Sequence, residues 1–283
     1  MALKERLLLR VARRWIAGDS RTDALKAAAE ANRLGLGAII NYLGEGYHDL
    51  KDIDDSLNEY MALLEDIERG GLRACISVKP TQLGLALGPQ HYMERIERIA
   101  ELASRKNLFV WIDMEGSNYT QSTLSTYAEI HERFKNTGVA IQANLHRTYQ
   151  DVLDLLPIRP RFRLTKGAYR EPEHIAYRSR KAVRENFKRI MKLLFENNAE
   201  FAIATHDEKL IDLALQWHSQ YSAKIEFQML RGIRGELKVK LAAQGYQVWE
   251  YIPYGSRWWH YSMRRIREHP SNLLLLLRSL FSE

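Results

Sequence analysis

The sequence predicts an α/β protein closed into a (β/α)8 barrel of the TIM type, and three observations carry that prediction. Eight short apolar runs recur along the chain, one every 23 to 39 residues. The segments between them show the 3.6-residue periodicity of amphipathic helices. Eight such units match the length of about 250 residues that this barrel needs. A doubly wound sheet fits less well, because its dinucleotide fingerprint is missing: after Gly35 and Gly37 the third glycine position holds Ile40.

In chain order the strand-like runs are GAIINY (37–42), RACISVK (73–79), LFVWID (108–113), GVAIQA (138–143), RFRLTK (161–166), EFAIAT (200–205), AKIEFQ (223–228) and YQVWEY (246–251). Helical patterns fill the gaps, among them NEYMALLEDIERG, HYMERIERIAELASR and KAVRENFKRIMKLLFEN. Two more helical patterns lead the chain, at about 3–16 and 21–34. We expect residues 1–35 to form an N-terminal helical extension, 36–272 the barrel and 273–283 an apolar tail.

The 283 residues are 46% apolar and 27% charged, a globular composition. The net charge of +7 is spread among interleaved acids and bases, which favours acidic partners or headgroups without singling out nucleic acid. The single cysteine, Cys75, lies in an apolar run, so there is no disulfide framework and a reducing, cytoplasmic setting fits. Arginines break the opening MALKERLLLRVARRW, which therefore lacks a signal-peptide core. The longest apolar run, Leu273–Leu277, is too short to span a bilayer. Both chain ends can still form apolar helix faces. These would pack on the barrel or on a second subunit of a homo-oligomer, or touch anionic lipid as a peripheral anchor.

Active sites of such barrels lie at the C-terminal ends of the strands. There the sequence places Lys79, Asp113 with Glu115, Gln142, Arg163 with Lys166, Thr205 with His206, Gln228, and Tyr251. RLTKGAY adds Gly167 and Ala168, small enough for a ligand to approach the backbone. No nucleophile elbow or metal-ligand spacing stands out, so the chemistry falls to a bound organic cofactor. The final stretch, YIPYGSRWWHYSMRRIREHP (251–270), reads as a helix from Ser256 to just before Pro270. Tyr261, Arg264, Arg265 and Glu268 share one face of it. Spacing leaves two readings open: a solvated basic helix, or paired guanidiniums that grip an anion.

The motifs SVKPTQLG, IDMEG, IQANLHRT, RLTKGAYREP, FAIATHD, FQMLRGIR and YIPYGSRWWHYSMRRIREHPSNL occur in this order. Over residues 36–272 the chain closely resembles the proline dehydrogenase family, nearest to its short monofunctional bacterial and archaeal forms. The resemblance implies a distorted (β/α)8 barrel that holds FAD and oxidises L-proline to Δ1-pyrroline-5-carboxylate. It also implies that electrons pass to a membrane quinone. Because the C-terminal helix follows directly on the eighth strand, it can fold across the barrel mouth. Carried over by position, Arg264 and Arg265 clamp the substrate carboxylate, Lys79 adds positive charge and Asp113 counters it. Tyr169, Tyr251 and Tyr261 wall the substrate ring. Gln142 and Arg163 lie at the isoalloxazine. Lys166, Gly167, Ala168, Thr205, His206, Gln228 and Glu268 follow the rest of FAD. The chain departs from the family's pattern at Pro80 and Arg170, and in the aromatic bulk of SRWWHY. Two other readings compete: a methylenetetrahydrofolate reductase-like flavin barrel, and an RNA-binding protein that stacks bases on Trp258 and Trp259.

Overall fold

Successive side chains of a strand point to opposite faces, so each strand of a closed barrel supplies one set to the lumen and one to the surrounding helices. A computed structural model describes residues 14–258. In it, parallel strands β1 (Gly37–Tyr42), β2 (Ala74–Val78), β3 (Val110–Ile112), β4 (Thr137–Gln142), β5 (Arg161–Thr165), β6 (Glu200–Ala204), β7 (Lys224–Leu230) and β8 (Gln247–Tyr254) close in sequence order. The helices are α1 (Arg21–Arg33), α2 (Leu50–Arg69), α3 (Pro89–Arg105), α4 (Ser117–Arg133), α5 (Thr148–Leu155), α6 (Arg180–Glu196), α7 (Glu208–His218) and α8 (Gly235–Ala243). The predicted barrel is therefore present. None of these helices is long and apolar enough to cross a membrane.

All eight predicted runs become strands, and three of them differ from the predicted bounds by more than one residue at an end. β3 is short because Leu108 is held in the turn that ends α3, its N–H donating to the Ala103 carbonyl at 2.8 Å. β7 continues through Met229 and Leu230, and β8 runs on to Tyr254, paired with β1 up to Tyr42. The expected helix from Ser256 to Pro270 lies outside the described residues, apart from its first positions. So do Arg264, Arg265, Tyr261, Glu268 and the apolar tail.

The helices form where the sequence carries both a start signal and an apolar stripe. Asp49 caps α2 by accepting from the Lys51 N–H at 2.7 Å, and Ile53, Leu57, Tyr60, Leu64 and Ile67 follow as its buried face. Pro89 opens α3, where its fixed φ costs nothing. α1 packs against both β1 and β8, closing the seam between the last strand and the first. Its buried face is Ala24, Ala27, Ala28 and Ala31, small side chains that let it approach the sheet closely.

Lumens of such barrels are usually filled by branched aliphatic layers. This one holds Trp111, Trp249, Phe109, Ile39, Cys75 and Ala202, with charged groups above and between them. Two glycines admit the indoles. Gly37 pairs with Trp249 and Gly138 with Trp111 across neighbouring strands. A β-carbon on Gly138 would lie 2.6 Å from the Trp111 ring and 2.9 Å from the Arg161 carbonyl oxygen. Gly138→Ala should therefore destabilise the protein by about 1–3 kcal/mol through overpacking. Urea unfolding would measure it, and an unchanged midpoint would mean that the lumen relaxes around the indole.

Candidate active site

The floor of the barrel mouth is built around one carboxylate. β3 ends at Ile112, and the next residue, Asp113, extends the ladder by donating its N–H to the Val78 carbonyl at 2.9 Å. Its side chain therefore points into the lumen, where it is buried. Oδ1 accepts from Ser77 Oγ at 2.7 Å and from Arg163 Nη1 at 2.6 Å. Oδ2 accepts from Lys79 Nζ and Tyr251 OH, both at 2.7 Å. Four donors from three other strands thus fill the carboxylate's acceptor positions, so Asp113 as placed has none left for a ligand.

Burial alone pushes the Asp113 pKa up, but the Lys79 ammonium and the Arg163 guanidinium overcome it and hold the carboxyl down to about 2. Burial works against the charged Lys79 too. Asp113 outweighs it, and the ammonium is held well above its ordinary range. Burial and the adjacent Asp113 push the Tyr251 phenol up, so it stays protonated and donates. At neutral pH the floor is fixed as two cations on one carboxylate, with one positive charge in excess.

Pro80 leaves the lysine in place. It opens a short 3-10 turn, Pro80–Leu83, while Lys79 stays extended and reaches Asp113. Glu115 does not face the cavity. It is buried and accepts from Thr81 N at 2.7 Å and Thr81 Oγ1 at 2.6 Å, which ties this turn down. Gln142 donates Nε2 to the Glu115 carbonyl at 2.9 Å, leaving its Oε1 as the end available to a ligand.

Above the floor opens a cavity of about 890 Å³. All twelve expected site residues within the described part of the chain line it: Lys79, Asp113, Gln142, Arg163, Lys166, Gly167, Ala168, Tyr169, Thr205, His206, Gln228 and Tyr251. Their surroundings differ. Arg163 is buried, with Nε donating to Gln228 Oε1 at 2.5 Å and Nη2 left without a partner. Gly167 has φ +94°, and a β-carbon there would meet Asn144 Oδ1 at 1.9 Å. Glycine is thus required by the backbone and by Asn144, more than by the approach of a ligand. His206 accepts the Leu230 N–H at Nε2 (3.0 Å), which ties the end of β6 to β7 and places the proton of the neutral ring on Nδ1. Thr205 Oγ1 accepts from Asp207 N at 3.2 Å and starts the turn into α7. Tyr169 OH donates to Glu45 Oε2 at 3.1 Å. These two residues follow β5 and β1, which stand opposite each other in the barrel, so this bond crosses the mouth.

One side wall is cationic. Lys166 and Arg184 share Asp207, at 2.7 and 2.8 Å, and Arg178, Arg180, Lys209 and Arg234 line the same region. The sequence reading missed Ser77, Asn144, Arg178, Arg180 and Arg184. One signal was available for the arginines. α6 opens on Arg180 and Lys181 with no acid in its first turn, against the preference of a helix N-terminus for negative charge. Nothing in the local pattern marks Ser77 or Asn144, which are polar residues within or just beyond apolar runs.

A model of the proline dehydrogenase family matches residues 24–274. Proline dehydrogenase 1 of Bacillus subtilis (strain 168) is 34% identical over 275 residues, covering 96% of this chain and 91% of that protein. The proline dehydrogenase of Deinococcus radiodurans is 30% identical over 278 residues, covering 95% and 90%. Among solved structures, proline utilization A from Bdellovibrio bacteriovorus, inactivated by N-propargylglycine, superposes with a TM-score of 0.84 over 92% of this chain. Identity to it is 24%, so that likeness concerns the fold, and this chain spans 32% of that longer protein. The family match runs from α1 through β8 and takes in every residue of the cavity floor: the chain belongs to the proline dehydrogenase family.

Proposed function

We propose that this protein is an FAD-dependent dehydrogenase that oxidises L-proline to Δ1-pyrroline-5-carboxylate at the mouth of the barrel. The observation that carries the reading is the Asp113-centred floor beneath a cavity far larger than one small amino acid requires. At about 890 Å³ the cavity lies near the top of the usual range for ligand sites, with room for substrate and cofactor together. The residues present fit a flavin dinucleotide. Two buried polar atoms on the cavity-lining residues Arg163 and Asn144, the donor Nη2 and the acceptor Oδ1, have no protein partner, and a flavin ring offers both complements. The wall of Lys166, Arg178, Arg180 and Arg184 suits a diphosphate, because each guanidinium can donate paired hydrogen bonds to its oxygens. Gln142, Arg163, Lys166, Gly167, Ala168, Thr205, His206 and Gln228 would hold the group within the described chain, with Glu268 beyond it. When bound, the flavin would supply a hydride acceptor and an outlet for the electrons to a quinone.

The protein's own groups prepare the substrate. Proline can give up hydride from the carbon beside its nitrogen only as the neutral amine, whose lone pair supports the developing iminium. The excess positive charge fixed by Lys79 and Arg163 disfavours the substrate ammonium and promotes loss of its proton. Lys79 keeps two further N–H donors once one is given to Asp113. Tyr251 and Tyr169 line the cavity above the floor, and Arg264 and Arg265, beyond the described residues, would grip the carboxylate. Arg163 Nη2 lies ready to stabilise negative charge that develops during reduction.

Purified protein should show flavin bands that bleach anaerobically on adding L-proline. A colourless protein, or a flavin that L-proline leaves oxidised, would contradict the reading. Bleaching by a reduced nicotinamide alone would favour the reductase-like alternative. Arg264→Met and Arg265→Met should each raise the KM for proline at least tenfold while FAD stays bound. Unchanged proline kinetics in both variants would rule out the clamp.

A further inference from the structure

The charged groups do not stop at the active-site floor. Below Arg163 a polar column descends the lumen on residues of matching parity from β5 and β7. Arg163 Nε donates to Gln228 Oε1 at 2.5 Å, and Gln228 Nε2 donates to Glu226 Oε1, also at 2.5 Å. Glu226 Oε2 in turn accepts from Arg161 Nη2 at 2.7 Å. Glu226 is buried, and burying a carboxylate is costly unless its geometry is fully used. It lies beneath the cavity and lines no part of it.

We propose that Glu226 is a positioning residue for the active site: it sets the orientation of the Gln228 amide, and the amide sets the orientation of the Arg163 guanidinium. This inference rests on the flavin reading above. The reason is hydrogen-bond polarity. A glutamine side chain offers oxygen at one end and N–H at the other, and either end can point up the lumen. Only with its NH2 on Glu226 does its oxygen face Arg163. Arg163 is then held from below at Nε and from the side at Nη1 by Ser77 and Asp113. Nη2 is the remaining group, buried and without a protein partner. The column thus works as a chain of matched donors and acceptors that leaves one donor for the ligand.

Glu226→Gln disturbs this chain with almost no change of shape. The new amide has one acceptor oxygen where the carboxylate had two. The charged Arg161 competes best for it, so an NH2 is left facing the Gln228 NH2. Gln228 then turns over and presents a donor to Arg163 Nε, which loses its anchor. Gln228→Met removes the same link while leaving the Glu226–Arg161 pair intact.

The test is the reduction potential of the bound flavin, together with steady-state kinetics. In Glu226→Gln the flavin should remain bound and the KM for proline should stay within about twofold. The preference for reduced over oxidised flavin should fall about tenfold, a drop of about 30 mV for a two-electron couple. Gln228→Met should lower the potential in the same direction. Glu200→Gln is the control. It removes a half-exposed carboxylate from Arg161 (3.3 Å) without touching Gln228, and its potential should match wild type. The sign matters: the mere loss of a nearby negative charge would raise the potential, since it eases formation of the more negative reduced flavin. An unchanged or raised potential in Glu226→Gln would overturn the proposal, as would an equal fall in Glu200→Gln. If Glu226→Gln fails to fold, an unchanged potential in Gln228→Met overturns it instead. A wild-type protein that carries no flavin would remove the functional reading itself, which separates that failure from this one.

Discussion

The Asp113 carboxylate is the interaction on which the rest of the site depends. Ser77 and Lys79 at the end of β2, Arg163 on β5 and Tyr251 on β8 are drawn from three strands, and each places a donor on one of two oxygens. Charge-assisted bonds of this kind are short and strong, and they tolerate little error in the stagger of the strands. Closing the barrel in its observed register is what brings the five groups together. Removing one partner of such a buried cluster typically costs about 3–5 kcal/mol, because charge is left without compensation. The cluster also stores electrostatic order: Lys79 and Arg163 stay charged and aimed before any ligand arrives.

Several features elsewhere follow from keeping charge in the lumen. Aromatic rings surround the column, with Arg161 over Phe109 at 4.6 Å and Arg163 over Trp111 at 4.6 Å. Rings of that size need space, which Gly37 and Gly138 provide on the neighbouring strands. Cys75 lies in the same lumen, and burial pushes its thiol up to about 12, so it packs as a small apolar group. Around the mouth, side-chain hydrogen bonds also tie loops to one another. Glu171 accepts from Ser117 N at 2.7 Å and Ser117 Oγ at 2.6 Å, anchoring the segment after β5 to the start of α4.

Much of this was legible in the sequence, for physical reasons. A strand buried on its outer face must be apolar there, so GAIINY and EFAIAT announce themselves, and eight such runs at barrel spacing leave few topologies. Strand ends in such a barrel point at the ligand, which made Lys79, Asp113, Arg163 and Gln228 readable as one set. The family likeness then supplied their expected roles. What stayed hidden depends on contacts across the barrel. Ser77 looks like a polar interruption in an apolar run until β2 lies beside β3. Gly167 reads as a place for a ligand, whereas its neighbour is Asn144. Glu226 shares a strand face with Gln228, but its partner Arg161 lies on β5, a pairing that no local pattern marks. His206, a candidate contact by position, also spends its Nε2 on the Leu230 N–H.

The ionisation of Asp113 tests this account most directly. A carboxyl held below its ordinary value adds stability in full above its unfolded pKa, and loses it as pH falls from 3.8 through about 2. The measurement is a carbon-13 NMR titration of aspartate carboxyl signals, with Asp113→Asn identifying the resonance. The account predicts a signal that stays that of a carboxylate from pH 7 down to 4 and begins to move only as about 2 is approached. A midpoint at or above 3.8 would contradict it, since Lys79 and Arg163 would then not be holding the charge on which the floor of the site is built.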